Sequence, residues 1–148
     1  MLSDPQVTAV SVVTVAEELP VNETVTICNQ VLGELGLPEG ILFVNRFHAP
    51  DLSQAELTRV SASRRRGVSE PCDALAKAVL VAAEEEVSWG TLNEHHRQKL
   101  AAETGWPLVV LPFLFREEFG FTDVEALAGR LDEVLALREP GRRAEGRP

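Results

Sequence analysis

The stretch Gly40–Phe47, G-I-L-F-V-N-R-F, decides how the rest of the chain is arranged. It is a short apolar run with branched and aromatic residues, bounded by Gly40 and by the polar pair Asn45–Arg46, which is typical of a buried parallel strand over Ile41–Val44. Ligands of open α/β sheets bind outside the carboxyl ends of the strands, and Asn45 is the first polar side chain there. A carboxamide both accepts and donates hydrogen bonds, so Asn45 can pair with adenine N6 and N7. Because Asn is also a common turn residue, its type alone leaves both interpretations open.

The composition fits a globular protein of one domain. The chain has 148 residues, of which 45% are hydrophobic, and this length suffices for a sizeable core. A formal net charge of −9 argues against nucleic-acid binding, since neutralising phosphates requires basic patches. No apolar run has the length of a membrane span, and the first residues lack the pattern of a signal peptide, so we expect a cytoplasmic protein. Cys28 and Cys72 are isolated, which predicts reduced, buried thiols rather than a disulfide or a metal site.

The spacing of apolar residues predicts an α/β fold in three layers, with a parallel sheet and crossover helices. A helix over about Asn22–Leu35 is indicated by Asn22 as N-cap and by the apolar period that follows. A strand–helix–strand unit has parallel strands, which brings Glu17 and Asn45 to the same edge of the sheet. Further runs of branched residues complete the predicted strands: Thr8–Val15, Ile41–Val44 and Trp106–Pro112.

A helical insertion is expected between the second and third strands, at about residues 48–105, within a domain of residues 1–138. A helix opens at Ser69–Pro71, a break is expected at Ser88–Gly90, and a second helix follows from Thr91. The basic cluster Arg64–Arg66 is either a solvated surface or a contact for phosphate or an acidic partner. A last helix is predicted from Thr122, and residues 139–148 are expected to form a disordered tail.

Two other patterns were weighed as functional sites. His48 and the run Glu94–His96 raise the alternative of a metal-dependent hydrolase, but adjacent helical residues point about 100° apart and do not share one ion easily. The favoured interpretation is a polar helix face, and no metal ligand is predicted. Six aromatic residues are expected to be packing residues rather than a ligand cage, with Phe113 as the candidate exception: Trp89, Trp106, Phe113, Phe115, Phe119 and Phe121.

Three longer runs resemble one family when they are taken together. The runs are V-V-T-V-A-E-E-L-P-V-N-E-T (Val12–Thr24), L-G-L-P-E-G-I-L-F-V-N-R-F (Leu35–Phe47) and W-P-L-V-V-L-P-F-L-F-R-E-E-F-G (Trp106–Gly120). In this order they are similar to the carboxyl-terminal part of the arsenical pump-driving, or anion-transporting, ATPases. The same family contains the ATPase that targets tail-anchored membrane proteins.

The resemblance implies a P-loop ATPase that binds ATP between paired subunits, with a doubly wound sheet. By this resemblance Glu17 contacts the nucleotide, Asn45 reads the adenine base, and Pro112 and Phe113 provide the backbone that walls the adenine pocket. The implied partners are a nucleotide and a protein chain, either a homodimer or another chain that completes the sheet. A peripheral membrane partner is implied by the family only.

The sequence departs from the family at the phosphate side of the site. The 148 residues contain no G-x-x-x-x-G-K-[ST] loop to cradle phosphate and hold Mg²⁺, and no counterpart of the catalytic aspartate, so no catalytic residue is assigned. We therefore expect ATP as the ligand, Mg²⁺ only where a phosphate-binding half is present, and no hydrolysis by this chain alone. The alternative is a non-enzymatic interaction module, because a three-stranded sheet has exposed edges with which another chain can pair.

Overall fold

The computed structural model describes residues 2–50, 52–64 and 70–136, without the side chains at 63, 64, 70–73 and 133–136. Within these residues, strands alternate with helical segments along the chain. The order is β1 (Val10–Val15), α1 (Glu18–Thr26), a π-helical turn (Ile27–Val31), α2 (Leu32–Leu35), β2 (Glu39–Phe47), α3 (Gln54–Arg64), α4 (Glu70–Thr104), β3 (Leu108–Pro112) and α5 (Phe121–Ala136). None of the described helices is both long and apolar enough to cross a membrane.

The strands form a mixed α/β structure with a small parallel sheet, in the order β1-β2-β3. Both strand pairs are parallel and both connections contain helices, which confirms the predicted parallel sheet with crossover helices. The strand β2 is central, because it pairs with both β1 and β3, and it is also the longest of the three. Its two neighbours, β1 and β3, are edge strands within the described part of the chain.

One face of the sheet carries the main core. Leu42 and Val44 of β2 are fully buried there, against α1, α2 and the end of α4. The partners of these two residues in the neighbouring strands share the same face, because registered residues of parallel strands lie on one side of the sheet. The buried members of this core are Ala16, Val21, Cys28, Leu32, Leu42, Val44, Phe47, Leu100 and Trp106.

The opposite face of the sheet is only partly covered. Val13 is 65% exposed on that face, beside the half-buried Phe43. Only Val109 is well buried there, on the strand that α5 contacts. Among the described residues, nothing covers the apolar patch of sheet between β1 and β2.

The strand β2 contains an irregularity near each end. At its start, the register moves from Val10–Glu39 to Val12–Leu42, so one extra residue lies in β2. Gly40 is required at this point, because a Cβ atom there would lie 2.6 Å from the carbonyl oxygen of Val10. At its end, the register moves from Val44–Val110 to Phe47–Pro112, and Arg46 adopts a positive φ of 54°.

The second bulge corrects the predicted end of the central strand. The apolar pattern predicted that the strand ends at Val44 and that Asn45 follows it, but Asn45 is paired with Val15 inside the strand. Because of the extra residue, the polar pair Asn45–Arg46 lies outside the core and the Phe47 side chain lies inside it. Phe47 is only 9% exposed. Burial of the Phe47 ring thus explains why the strand continues beyond the polar residues.

The helix α4 is continuous where a break was predicted at Ser88–Gly90. Gly90 is buried inside the helix, and a Cβ atom there would overlap the ring of Pro50. This glycine therefore permits close packing of the segment after β2 against α4 and does not end the helix. The first helix also begins earlier than predicted, at Glu18 instead of Asn22, because Pro20 is tolerated in a first turn.

The helix α3 was not predicted, although its start carries a capping box. The Ser53 N–H donates to Glu56 Oε2 at 2.8 Å, and the Glu56 N–H donates to Ser53 Oγ at 3.3 Å. Leu57 of this helix packs with Leu80 and Val87 of α4 in a second small cluster. Two predicted features lie outside the described residues. They are the tail at 139–148 and, within the basic cluster, Arg65 and Arg66.

Candidate functional site

The predicted site residues lie at or just beyond the carboxyl ends of three adjacent strands. Asn45 is paired with Val15 near the end of β1, and Pro112, the last residue of β3, is paired with Phe47. Glu17 comes two residues after the end of β1. The parallel sheet therefore brings all the predicted residues to one edge, where α/β proteins bind ligands.

The Asn45 carboxamide is oriented by the backbone that follows it. Its Oδ1 accepts a hydrogen bond from the Arg46 N–H at 2.9 Å, which identifies the oxygen and leaves the amide nitrogen on the other side. The side chain is half-buried, and its amide hydrogens have no partner among the described residues. Since a carbonyl oxygen has two lone pairs, Oδ1 can accept a second bond while the nitrogen donates. This is the pattern that complements the amino group and ring nitrogen of adenine.

The backbone after β3 lies beside the end of β2. The Phe113 N–H donates to the Phe47 carbonyl at 2.9 Å, so the parallel pairing continues past Pro112. The Phe113 ring is half-buried and contacts two neighbours, with the Phe115 ring centroid at 4.6 Å and the Arg46 guanidinium carbon at 5.4 Å. A flat apolar ring thus lies beside the Arg46 side chain, one residue after Asn45.

Glu17 lies at the same edge of the sheet, between the end of β1 and the start of α1. Its N–H donates to the Val15 carbonyl at 2.9 Å, and its own carbonyl accepts from the Val21 N–H at 3.0 Å at the start of α1. The side chain is exposed and makes no capping bond to the helix. The structure therefore brings Asn45, Pro112 and Phe113 into one neighbourhood, while no hydrogen bond joins the Glu17 carboxylate to them.

Asn93 of α4 is a residue of this edge that the sequence pattern did not reveal. It is only 9% exposed, and its Oδ1 accepts from the His48 N–H at 2.9 Å. Its Nδ2 donates to the Ala16 carbonyl at 3.4 Å. Asn93 thus connects α4 to the ends of both β1 and β2. Its position in a polar helical stretch, distant in sequence from both partners, gave no signal of this role.

Most of the six aromatic residues that were expected to pack are exposed, contrary to the prediction. Trp106 is buried at 5% exposure, whereas Trp89 and Phe115 are 68% and 75% exposed. The His48 ring lies between these two exposed rings, with centroid distances of 6.5 Å to Trp89 and 5.5 Å to Phe115. The aromatic side chains therefore extend the candidate site as an exposed surface.

The histidines do not form a metal centre within the described part of the chain. No group of three potential ligands is arranged there for a metal ion. The Glu94 carboxylate is engaged by Arg97, at 2.7 and 2.6 Å, and hydrogen bonding from this guanidinium lowers the pKa of Glu94 to about 2. His48 Nε2 and His96 Nδ1 are buried and have no hydrogen-bond partner among the described residues, whereas His95 is exposed.

The Cys28 thiol is buried, as predicted. It is 5% exposed in the main core, and burial raises its pKa, with a smaller contribution from the negative charge of Glu39. A thiol that resists ionisation in this way is a poor nucleophile and a poor metal ligand. Cys72 belongs to α4, and its side chain lies outside the described part of the structure.

Comparison of the whole chain with known proteins gives no assignment: no protein-family model matches it, and neither does any curated protein.

Proposed function

We propose that this chain is the adenine-recognising, carboxyl-terminal portion of an ATPase of the arsenical pump-driving and tail-anchored-protein-targeting family. Asn45 reads the edge of the base, Pro112 and Phe113 form the wall of its pocket, and Glu17 contacts the nucleotide. One observation carries the proposal: the Asn45 carboxamide is oriented by the Arg46 N–H, with its amide hydrogens unpaired among the described residues, at the carboxyl edge of a parallel sheet.

The phosphate side of the reaction belongs to a different segment. Phosphoryl transfer depends on positioning and on charge stabilisation by a glycine-rich loop, its lysine and Mg²⁺, and the 148 residues contain no such loop. This chain accordingly binds the base and does not hydrolyse ATP alone. The phosphate-binding half, on the same polypeptide or on another, supplies the missing groups.

The partly covered face of the sheet supports the proposal that a second half of the domain packs against this chain. Parallel sheets of α/β proteins are normally covered on both faces, whereas Val13 is 65% exposed beside Phe43. Within the described part of the chain, β1 and β3 are edge strands, beside which further parallel strands can pair. A P-loop half that adds strands and a second helical layer would complete the three-layer, doubly wound sheet of the family.

Isothermal titration of the full chain with ATP and with adenosine, each with and without Mg²⁺, tests the proposal. The expected result is weak binding of both ligands, independent of Mg²⁺, because only the base is recognised. Asn45→Ala should abolish binding, whereas Asn29→Ala, at an exposed Asn of the π-helical turn, should leave it unchanged. Tight binding that requires Mg²⁺, or equal binding by the Asn45→Ala variant, would contradict the proposal.

The second candidate function is a non-enzymatic module that pairs with another chain through its sheet. The same exposed patch favours it, since apolar sheet surface and open strand edges are stable only when they are covered. Light scattering on the purified chain discriminates the two functions. A stable homodimer that Val13→Asp converts into a folded monomer, in a protein that does not bind adenosine, would favour the module. A monomer that binds adenosine would favour base recognition.

A further inference from the structure

Arg46 is the only residue other than glycine with a positive φ in the described part of the chain. Its φ of 54° lies in the left-handed region, where a side chain with a Cβ atom is disfavoured. Such a conformation persists only where the surrounding structure imposes it, and these sites are often functional. Here the strain occurs directly after Asn45, inside the bulge of β2.

The bulge determines on which side of the sheet Arg46 lies. Leu42 and Val44 face the core, so strict alternation would place Arg46 toward the core and Phe47 away from it. The extra residue reverses this outcome: Phe47 is buried and Arg46 is exposed. The strained conformation therefore makes Asn45 and Arg46 consecutive side chains that both lie outside the core.

The Arg46 guanidinium is held by an aromatic ring and not by a carboxylate. Its central carbon lies 5.4 Å from the centroid of the Phe113 ring, within the range of a cation–π contact. It forms no ion pair with any carboxylate whose side chain the structure describes. The Phe113 ring thus lies beside the guanidinium, and no described carboxylate competes for its N–H donors.

A planar base needs a partner for its edge and a partner for its face. Asn45 supplies donors and acceptors for the edge, but a carboxamide of this size leaves the ring face uncovered. A guanidinium stacks well on aromatic rings and on nucleic-acid bases, because it is planar and weakly hydrated. We infer that Arg46 is the base-stacking residue of this site: its guanidinium, oriented by Phe113, covers the face of the purine whose edge Asn45 reads.

This inference rests on the proposed function and names a residue that determines how the base is held. The variant Arg46→Gly separates side chain from backbone, because glycine adopts the left-handed conformation freely and preserves the bulge. The variant Arg46→Lys keeps the positive charge and removes the planar group. Titration with adenosine and with adenosine monophosphate, followed by nitrogen–proton correlation NMR, compares stacking on the base with contact to phosphate.

The expected result is that Arg46→Gly lowers the affinity for adenosine and for adenosine monophosphate by the same factor. This factor is about two- to fivefold, the range of an exposed cation–π contact. Arg46→Lys should lose nearly as much affinity for both ligands as Arg46→Gly does, because the ammonium group keeps the charge but lacks the planar surface that stacks on the base. In the wild type, adenosine should also shift the Arg46 Nε–H resonance upfield through the ring current of the base.

Each alternative outcome is informative. If Arg46→Gly binds adenosine as tightly as the wild type, the inference is wrong while the proposed function stands. A loss confined to adenosine monophosphate would identify Arg46 as a phosphate contact and overturn the stacking role. If the wild type does not bind adenosine, the proposed function fails and the inference fails with it.

Discussion

Replacing Asn93 with alanine should destabilise the protein by about 1–3 kcal/mol, the usual cost of leaving a buried polar group without its partner. The magnitude follows from two unequal hydrogen bonds. The bond from the His48 N–H is short, at 2.9 Å, and its loss leaves a part-buried donor that water does not easily reach. The bond to the Ala16 carbonyl, at 3.4 Å, is long and adds little. Most of the expected loss therefore comes from His48.

Thermal unfolding followed by circular dichroism measures this loss as a fall in Tm of roughly 2–12 °C, at about 2–4 °C for each kcal/mol. Asn29→Ala is the matched control, because Asn29 also bonds a distant backbone carbonyl, that of Glu103, at 2.9 Å, but on the exposed surface. Asn29→Ala should lower the free energy of unfolding by no more than about 0.5 kcal/mol. If the two variants lose equal stability, Asn93 does not connect α4 to the strand ends as the structure indicates.

Two further predictions concern packing and charge. Gly129→Ala should stabilise α5 by up to about 1 kcal/mol, because alanine has the higher helix propensity and the site is open. Gly90→Ala should instead lower the Tm, because its methyl group overlaps Pro50 and overpacking costs about 1–3 kcal/mol. Tm shifts of the same sign and size for the two variants would contradict this. Because the folded pKa of Glu94 is about 2, below its ordinary 4.5, the stability from its pair with Arg97 is present above pH 4.5 and is lost as the pH falls toward 2. Urea midpoints across this window should therefore fall less for Glu94→Gln than for the wild type, and parallel curves would refute the assignment.

The elements that depend on local sequence were predictable. Runs of branched apolar residues indicated all three strands, and the helical spacing between the first two strands indicated that they are parallel. The placement of Glu17 and Asn45 at one edge followed from that topology. The capping box at Ser53 and Glu56 was an available local signal for α3, and it was missed because the rest of that helix is polar.

The features that depend on distant partners were not predictable in this way. The bulge at Asn45 and Arg46 arises from the register with β3 and from the burial of Phe47, neither of which a local pattern contains. The role of Gly90 depends on Pro50, forty positions earlier in the chain, so its residue type suggested a helix break instead. Asn93 is similar, because its partners lie at the ends of two strands.

The side-chain amide of Asn45, observed by nitrogen–proton correlation NMR during titration of the full chain with adenosine, tests the central claim most directly. Base recognition predicts that one of the two Nδ2 proton resonances moves downfield as that hydrogen is donated to the ring nitrogen of the base. The Phe113 backbone amide should report the same affinity, and Mg²⁺ should make no difference, since no phosphate is bound. Saturating adenosine that leaves the Asn45 amide unmoved, or shifts that require Mg²⁺, would contradict the assignment of this edge as an adenine site.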